Sequence, residues 1–121
     1  MILRVLAIAA SLLTALPAAA HDIVKGPNGG QIADAGAYHV ELVVQAQSVD
    51  VFVTDASDKP LPAAGFKGLA ILTVDGKAQR IALTPKENRL SGTSATALPA
   101  APKGVVQLTA PDGKTAQGRF N

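Results

Sequence analysis

The chain has 121 residues, 48% of them hydrophobic, a formal net charge of +2, no cysteine and a single methionine, Met1. Without cysteine there is no disulfide, no thiolate metal site and no cysteine nucleophile. A nearly neutral chain whose only aromatics are Tyr38, Phe52, Phe66 and Phe120 is no platform for nucleic acid, and its net charge gives it no pull toward anionic lipid.

Residues 1–20 have the form of a secretory signal: Arg4 in a short n-region, an apolar run from Val5 to Leu16, and Ala18-Ala19-Ala20 as an A-x-A cleavage signature. The apolar run is too short to span a bilayer about 30 Å thick, and no other segment approaches the length of a spanning helix. The expected product is a periplasmic, exported protein with no transmembrane segment after signal cleavage. Cleavage removes only Arg4 among the charged residues, leaving ten basic and nine acidic groups, and the remainder is of single-domain size. Loss of Met1 excludes thioether copper(I) chemistry.

Residues 21–37 read as an N-terminal arm, with Pro27-Asn28-Gly29-Gly30 as a turn, leading into a β domain over 38–121. From Tyr38 to Ala46 the chain alternates, with Tyr38, Val40, Leu42 and Val44 on one face and His39, Glu41, Val43 and Gln45 on the other. Ser48 to Thr54 repeats the pattern, and the short link between the two predicts an antiparallel hairpin. Leu69 to Val74 and Gln79 to Thr84 flank Asp75-Gly76, a dipeptide suited to a type I′ turn. A short strand over Glu87 to Gly92 and clearer ones over Val105 to Ala110 and Lys114 to Phe120 complete the set, while Ser57 to Phe66 and Thr93 to Lys103 read as loops. No stretch after residue 20 sustains a helical period. The expectation is an all-β chain forming a single immunoglobulin-like β-sandwich of about seven strands, or alternatively a small β-barrel.

The chain has two histidines. Cleavage after Ala20 makes His21 the first residue, and an N-terminal histidine offers a metal its α-amine as well as its imidazole. With an imidazole from His39 this gives a three-nitrogen set suited to tetragonal Cu(II); Zn(II) takes the same donors in tetrahedral form. Asp22 and Glu41 are the candidate oxygen donors, Glu41 lying about 6.6 Å along the strand from His39 on the same face. The competing reading is that His21 is incidental and His39 a solvated side chain. Gly29-Gly30 neither begins a G-x-G-x-x-G sequence nor opens a helix, so it reads as a turn. No G-x-S-x-G elbow occurs, and hydrolase chemistry has no support.

The segments Gly26-Pro27-Asn28-Gly29-Gly30-Gln31, Ala35-Gly36-Ala37-Tyr38-His39-Val40-Glu41-Leu42-Val43, Val51-Phe52-Val53-Thr54-Asp55 and Asp58-Lys59-Pro60-Leu61 resemble a family of small exported bacterial proteins. They are also similar to the N-terminal region of periplasmic adaptor subunits of heavy-metal efflux pumps. That resemblance implies a metal-related periplasmic role. Where the family carries a histidine before its Gly-Gly pair, this chain has Asn28, a poor transition-metal ligand and a good turn former.

The expected function is thus non-enzymatic metal handling: weak Cu(II) or Zn(II) binding through His21, His39, Glu41 and Asp22, with no tightly bound cofactor, linked to heavy-metal efflux or resistance. An envelope protein or efflux component is the expected partner. The alternative is a metal-independent envelope interaction module; a copper oxidase built on the same nitrogens ranks third.

Overall fold

The computed structural model describes residues 24–121. The expected signal at 1–20 and the candidate ligands His21 and Asp22 lie outside the described residues. Eight strands follow one another: β1 (Gln31–Ala35), β2 (Tyr38–Gln45), β3 (Ser48–Asp55), β4 (Lys67–Val74), β5 (Lys77–Lys86), β6 (Arg89–Thr93), β7 (Lys103–Thr109) and β8 (Thr115–Phe120). They form one sheet in the order β1-β2-β3-β6-β5-β4-β7-β8, every neighbouring pair antiparallel. No helix occurs among the described residues, and none is long and apolar enough to cross a membrane.

The hairpins form where period-2 alternation and turn chemistry agree. In β2 and β3 the inward pairs are Val40 with Val53, Leu42 with Val51 and Val44 with Val49, all buried. A one-residue slip of either strand would turn its three inward residues toward solvent, so this register is strongly specified. Asp75 and Gly76 both have positive φ, 50° and 76°, as a two-residue type I′ turn requires. Inward residues from the other strands, among them Leu72, Leu83, Leu90 and Leu108, complete a single core in which all four are fully buried. Each such side chain contributes roughly 1.5–3 kcal/mol relative to exposure. Phe66 closes one end of the core edge-on against Tyr38, with ring centroids 5.4 Å apart at 85°.

The sheet curls until β8 packs against β1. Gly118 makes this approach possible: a Cβ there would lie 2.7 Å from Val40 Cγ2 and 3.4 Å from Ala33 Cβ. The all-β expectation holds, in the form of a single, nearly closed, barrel-like sheet. It has eight strands where the sequence pattern yields about seven, because Gln31–Ala35 pairs with β2 as a full strand. Alternation is faint there because the inward positions, Ala33 and Ala35, must be small to admit β8.

Both expected loops serve as edge covers. Beyond β6, which pairs only with Ser48 to Val51 of β3, the rest of the β3 edge is taken by residues 59–61. Asp55 N donates to Lys59 O, Leu61 N donates to Val53 O, and Pro60 bridges Thr54. The second loop donates from Ser94 N to Gln47 O and from Leu98 N to Ala46 O, and buries Leu98.

Candidate functional site

The arm before β1 forms a small hairpin. Gly29 N donates to Gly26 O, Gly26 N donates to Gly30 O, Lys25 bridges Gln31, and Ile32 N donates to Val24 O. Pro27 sits at the second position of the turn and Gly29 follows at φ 81°, the arrangement of a type I turn closed by a left-handed residue. This hairpin lies over the outer face of β2 and covers Glu41.

Glu41 shares that face with His39, as alternation requires, but it is 5% exposed. One carboxylate oxygen accepts from Asn28 N at 2.9 Å and Gly30 N at 2.8 Å, and the other accepts from Asn28 Nδ2 at 2.9 Å. Burial of a carboxylate is tolerated because these N–H groups replace its water. A Cβ on Gly26 would fall 2.2 Å from the Glu41 carboxyl carbon, so the arm fits around the carboxylate only as glycine. Glu41 therefore anchors the arm, and its oxygens are engaged there rather than in an open site.

His39 lies in a different environment. Its cross-strand partner on β1 is Asp34, whose Oδ1 is 3.1 Å from His39 Nε2. On the other side of the ring, Asp58 Oδ1 stands 2.7 Å from Nδ1. Asp58 reaches this position from the tight loop after β3. Its own N donates to Asp55 O, and Asp55 Oδ1 accepts from Ser57 N and Lys59 N. The loop holds Asp58 at φ 62°, a left-handed conformation that aspartate tolerates better than most residues. A neutral imidazole has one N–H to donate, so both contacts are hydrogen bonds at once only when the ring carries two protons. Asp34 and Asp58 are exposed, while the His39 side chain is 28% accessible.

These groups line an open depression of about 650 Å³. Val24, Pro27, Ile32 and Phe52 form its apolar side; Asp34, His39 and Asp58 form its polar side, and Arg119 of β8 reaches it from across the β1–β8 seam. Of the four ligands expected from sequence, His39 and Glu41 both line this depression, whereas His21 and Asp22 lie outside the described residues. Asp34 and Asp58 were not expected. Asp34 falls in the segment read as an arm, and Asp58 meets His39 only through the left-handed loop. Among the described residues no group of three or more His, Cys, Asp or Glu side chains is placed to hold a metal ion, since the two aspartates stand at opposite edges of one ring.

No protein-family model, curated protein or solved structure matches the chain.

Proposed function

We propose that this is an exported, non-enzymatic metal-handling protein that binds Cu(II), and more weakly Zn(II), at His39 with donors from the first residue left after signal cleavage. The observation that carries this reading is the position of Val24. It lines the same depression as His39, and His21 precedes it by three residues, a stretch that spans up to about 10 Å when extended. The described residues offer too few converging donors for a site of their own, so this face binds a transition metal only if the chain before Val24 completes it. The amine and imidazole of His21 are the donors within reach.

Of the two carboxylates on His39, Asp58 suits an orienting role. A carboxylate on Nδ1 fixes the tautomer that leaves Nε2 free to bind, the arrangement common behind metal-bound histidines. Asp34 Oδ1, 3.1 Å from Nε2, suits the oxygen ligand: an ion at ordinary bonding distance from both atoms sees them near a right angle, as tetragonal copper prefers. Glu41 serves the site by holding the arm. Periplasmic localisation and a link to metal efflux follow from the signal-like N-terminus and the resemblance above.

Copper titration followed by electron paramagnetic resonance tests the reading on protein purified from an exporting host, its first residue established by mass spectrometry. The wild-type protein should give one tetragonal signal with coupling to several nitrogens, simplified in His39→Ala and lost at equal copper when one extra residue precedes His21. Identical signals from the wild type and His39→Ala would overturn it and favour the metal-independent interaction module.

A further inference from the structure

The near-neutral net charge conceals a division of charge between two halves of the sheet. Residues 24–60 carry two basic and five acidic groups, whereas residues 61–121 carry eight basic and three acidic ones. The second half holds its acids at turns: Asp75 between β4 and β5, Glu87 between β5 and β6, and Asp112 between β7 and β8.

Strand register places its cations. Facing away from Ala70, Leu72, Val106 and Leu108, which are buried, the outer side of β5-β4-β7-β8 presents two cross-strand rows. One runs Arg80, Ile71, Val105, Arg119, and the next begins Ala78, Thr73, Lys103. Lys67 stands at the far end of β4, opposite Thr109. Lys67, Arg80, Lys103 and Arg119 thus put one cation of this face on each of the four strands, with Lys86 standing apart at the far end of β5, and no outward position on them is acidic. Among the described residues none of the four cations lies within ion-pair distance of a carboxylate, while Arg89, on β6, faces Asp50 at 3.2 Å. Between them Leu69, Ile71 and Val105 are half-exposed, an aliphatic strip inside a basic rim.

We infer that this face, carrying Lys67, Arg80, Lys103 and Arg119 around Leu69, Ile71 and Val105, binds the surface of an anionic phospholipid bilayer. The inference does not rest on the metal reading, since only Arg119 of this face also lines the depression at His39. Charge complementarity sets the sign of the partner, and shape decides its class. The face is the convex outside of a curled sheet with cations spread over about 14 Å, three strand spacings. The depression at His39 lies beyond the β1–β8 seam and shares only Arg119 with this face. A folded acidic protein has to match these separated charges with carboxylates fixed at the same spacing, whereas lipid headgroups move laterally to meet them, and the aliphatic strip suits the interface beneath them. Sparse aromatics disfavour single-stranded nucleic acid.

Sedimentation with large unilamellar vesicles tests the inference, comparing pure phosphatidylcholine with a mixture containing one-third phosphatidylglycerol. Each basic residue at an anionic surface is worth roughly a fivefold change in partitioning, so Arg80→Ala/Lys103→Ala should weaken binding to the mixed vesicles roughly 25-fold. Salt at about 0.5 M should abolish it by screening. Lys25→Ala/Lys59→Ala removes the same charge from the other half and should leave partitioning nearly unchanged. Equal binding to both vesicle types, or equal losses in the two double variants, overturns the inference. So does retention on immobilised polyglutamate without binding to the mixed vesicles, which would assign the face to an acidic protein. Circular dichroism of both variants separates loss of binding from loss of fold.

Discussion

At the scale of single residues, the outer face of β2 shows how two neighbours on one side of a strand come to have opposite fates. Glu41 is roofed by the arm and its oxygens accept three N–H bonds; His39, two residues earlier, keeps an opening to solvent. In Glu41→Gln an NH₂ group replaces one acceptor and faces N–H groups that lose their partner. Stranded buried donors cost about 1–3 kcal/mol, so chemical denaturation should show a loss of that size, with faster hydrogen exchange at Asn28 and Gly30. A loss below about 0.5 kcal/mol, within the range of an ordinary surface substitution, would show that the arm is not anchored there. Asp58→Asn probes the other neighbour. It keeps a side chain tolerant of φ 62° but replaces a charged partner of Nδ1 with a weaker one. On the metal reading it should lower copper affinity about 10–100-fold, as loss of an outer-shell partner does. The nitrogen coupling of the bound form should not change, because Asp58 is not a ligand; a changed coupling would make it one.

At the scale of elements, hairpins are what the sequence discloses best, because alternation and turn chemistry are both local. Asp75-Gly76 is the clearest case, and Gly76→Ala tests it. At φ 76° the added Cβ meets no neighbour, so the cost is conformational alone. Thermal or urea unfolding should show a loss of about 1–2 kcal/mol, and a change near zero would mean that the turn relaxes to another type. Seven of the eight strands lie close to where alternation puts them. The exception, β1, owes its missing signal to Ala33 and Ala35, whose smallness answers to β8 some eighty residues later in the chain. The site was legible in the same uneven way. Parity alone puts His39 and Glu41 on one face. Burial of Glu41 depends on the arm folding back, while Asp34 meets His39 across the short turn at Gly36-Ala37 in a strand whose alternation is faint, and Asp58 only through a left-handed loop beyond β3. The outward cations of β4, β5, β7 and β8 were hidden differently: they are spread thinly over four strands, and they form a field only when register places them side by side.

At the scale of the whole molecule, closure joins the two ends of the described chain. β8 lies between β7, its hydrogen-bonded neighbour, and β1, which it meets through Gly118 and the small residues opposite. Such a ring gains its last contacts by bringing distant segments together, which places it among slow-folding topologies, with folding expected in milliseconds to seconds. It also makes the sheet cooperative. Ending the chain after Gly113 removes Phe120 from the core, opens the β7 edge, and uncovers Val40 and Ala35, both fully buried. An unpaired, partly apolar edge next to an uncovered core favours association over an intact seven-stranded remainder. The truncated chain should therefore lose its near-ultraviolet dichroism and sediment as aggregates. Gly118→Val, which keeps β8 but drives a branched side chain into Val40, should stay folded with a loss of about 1–3 kcal/mol from overpacking. If the truncated chain instead unfolds cooperatively as a monomer, with a smaller dependence on denaturant, then closure is an accessory to a sheet that folds without it.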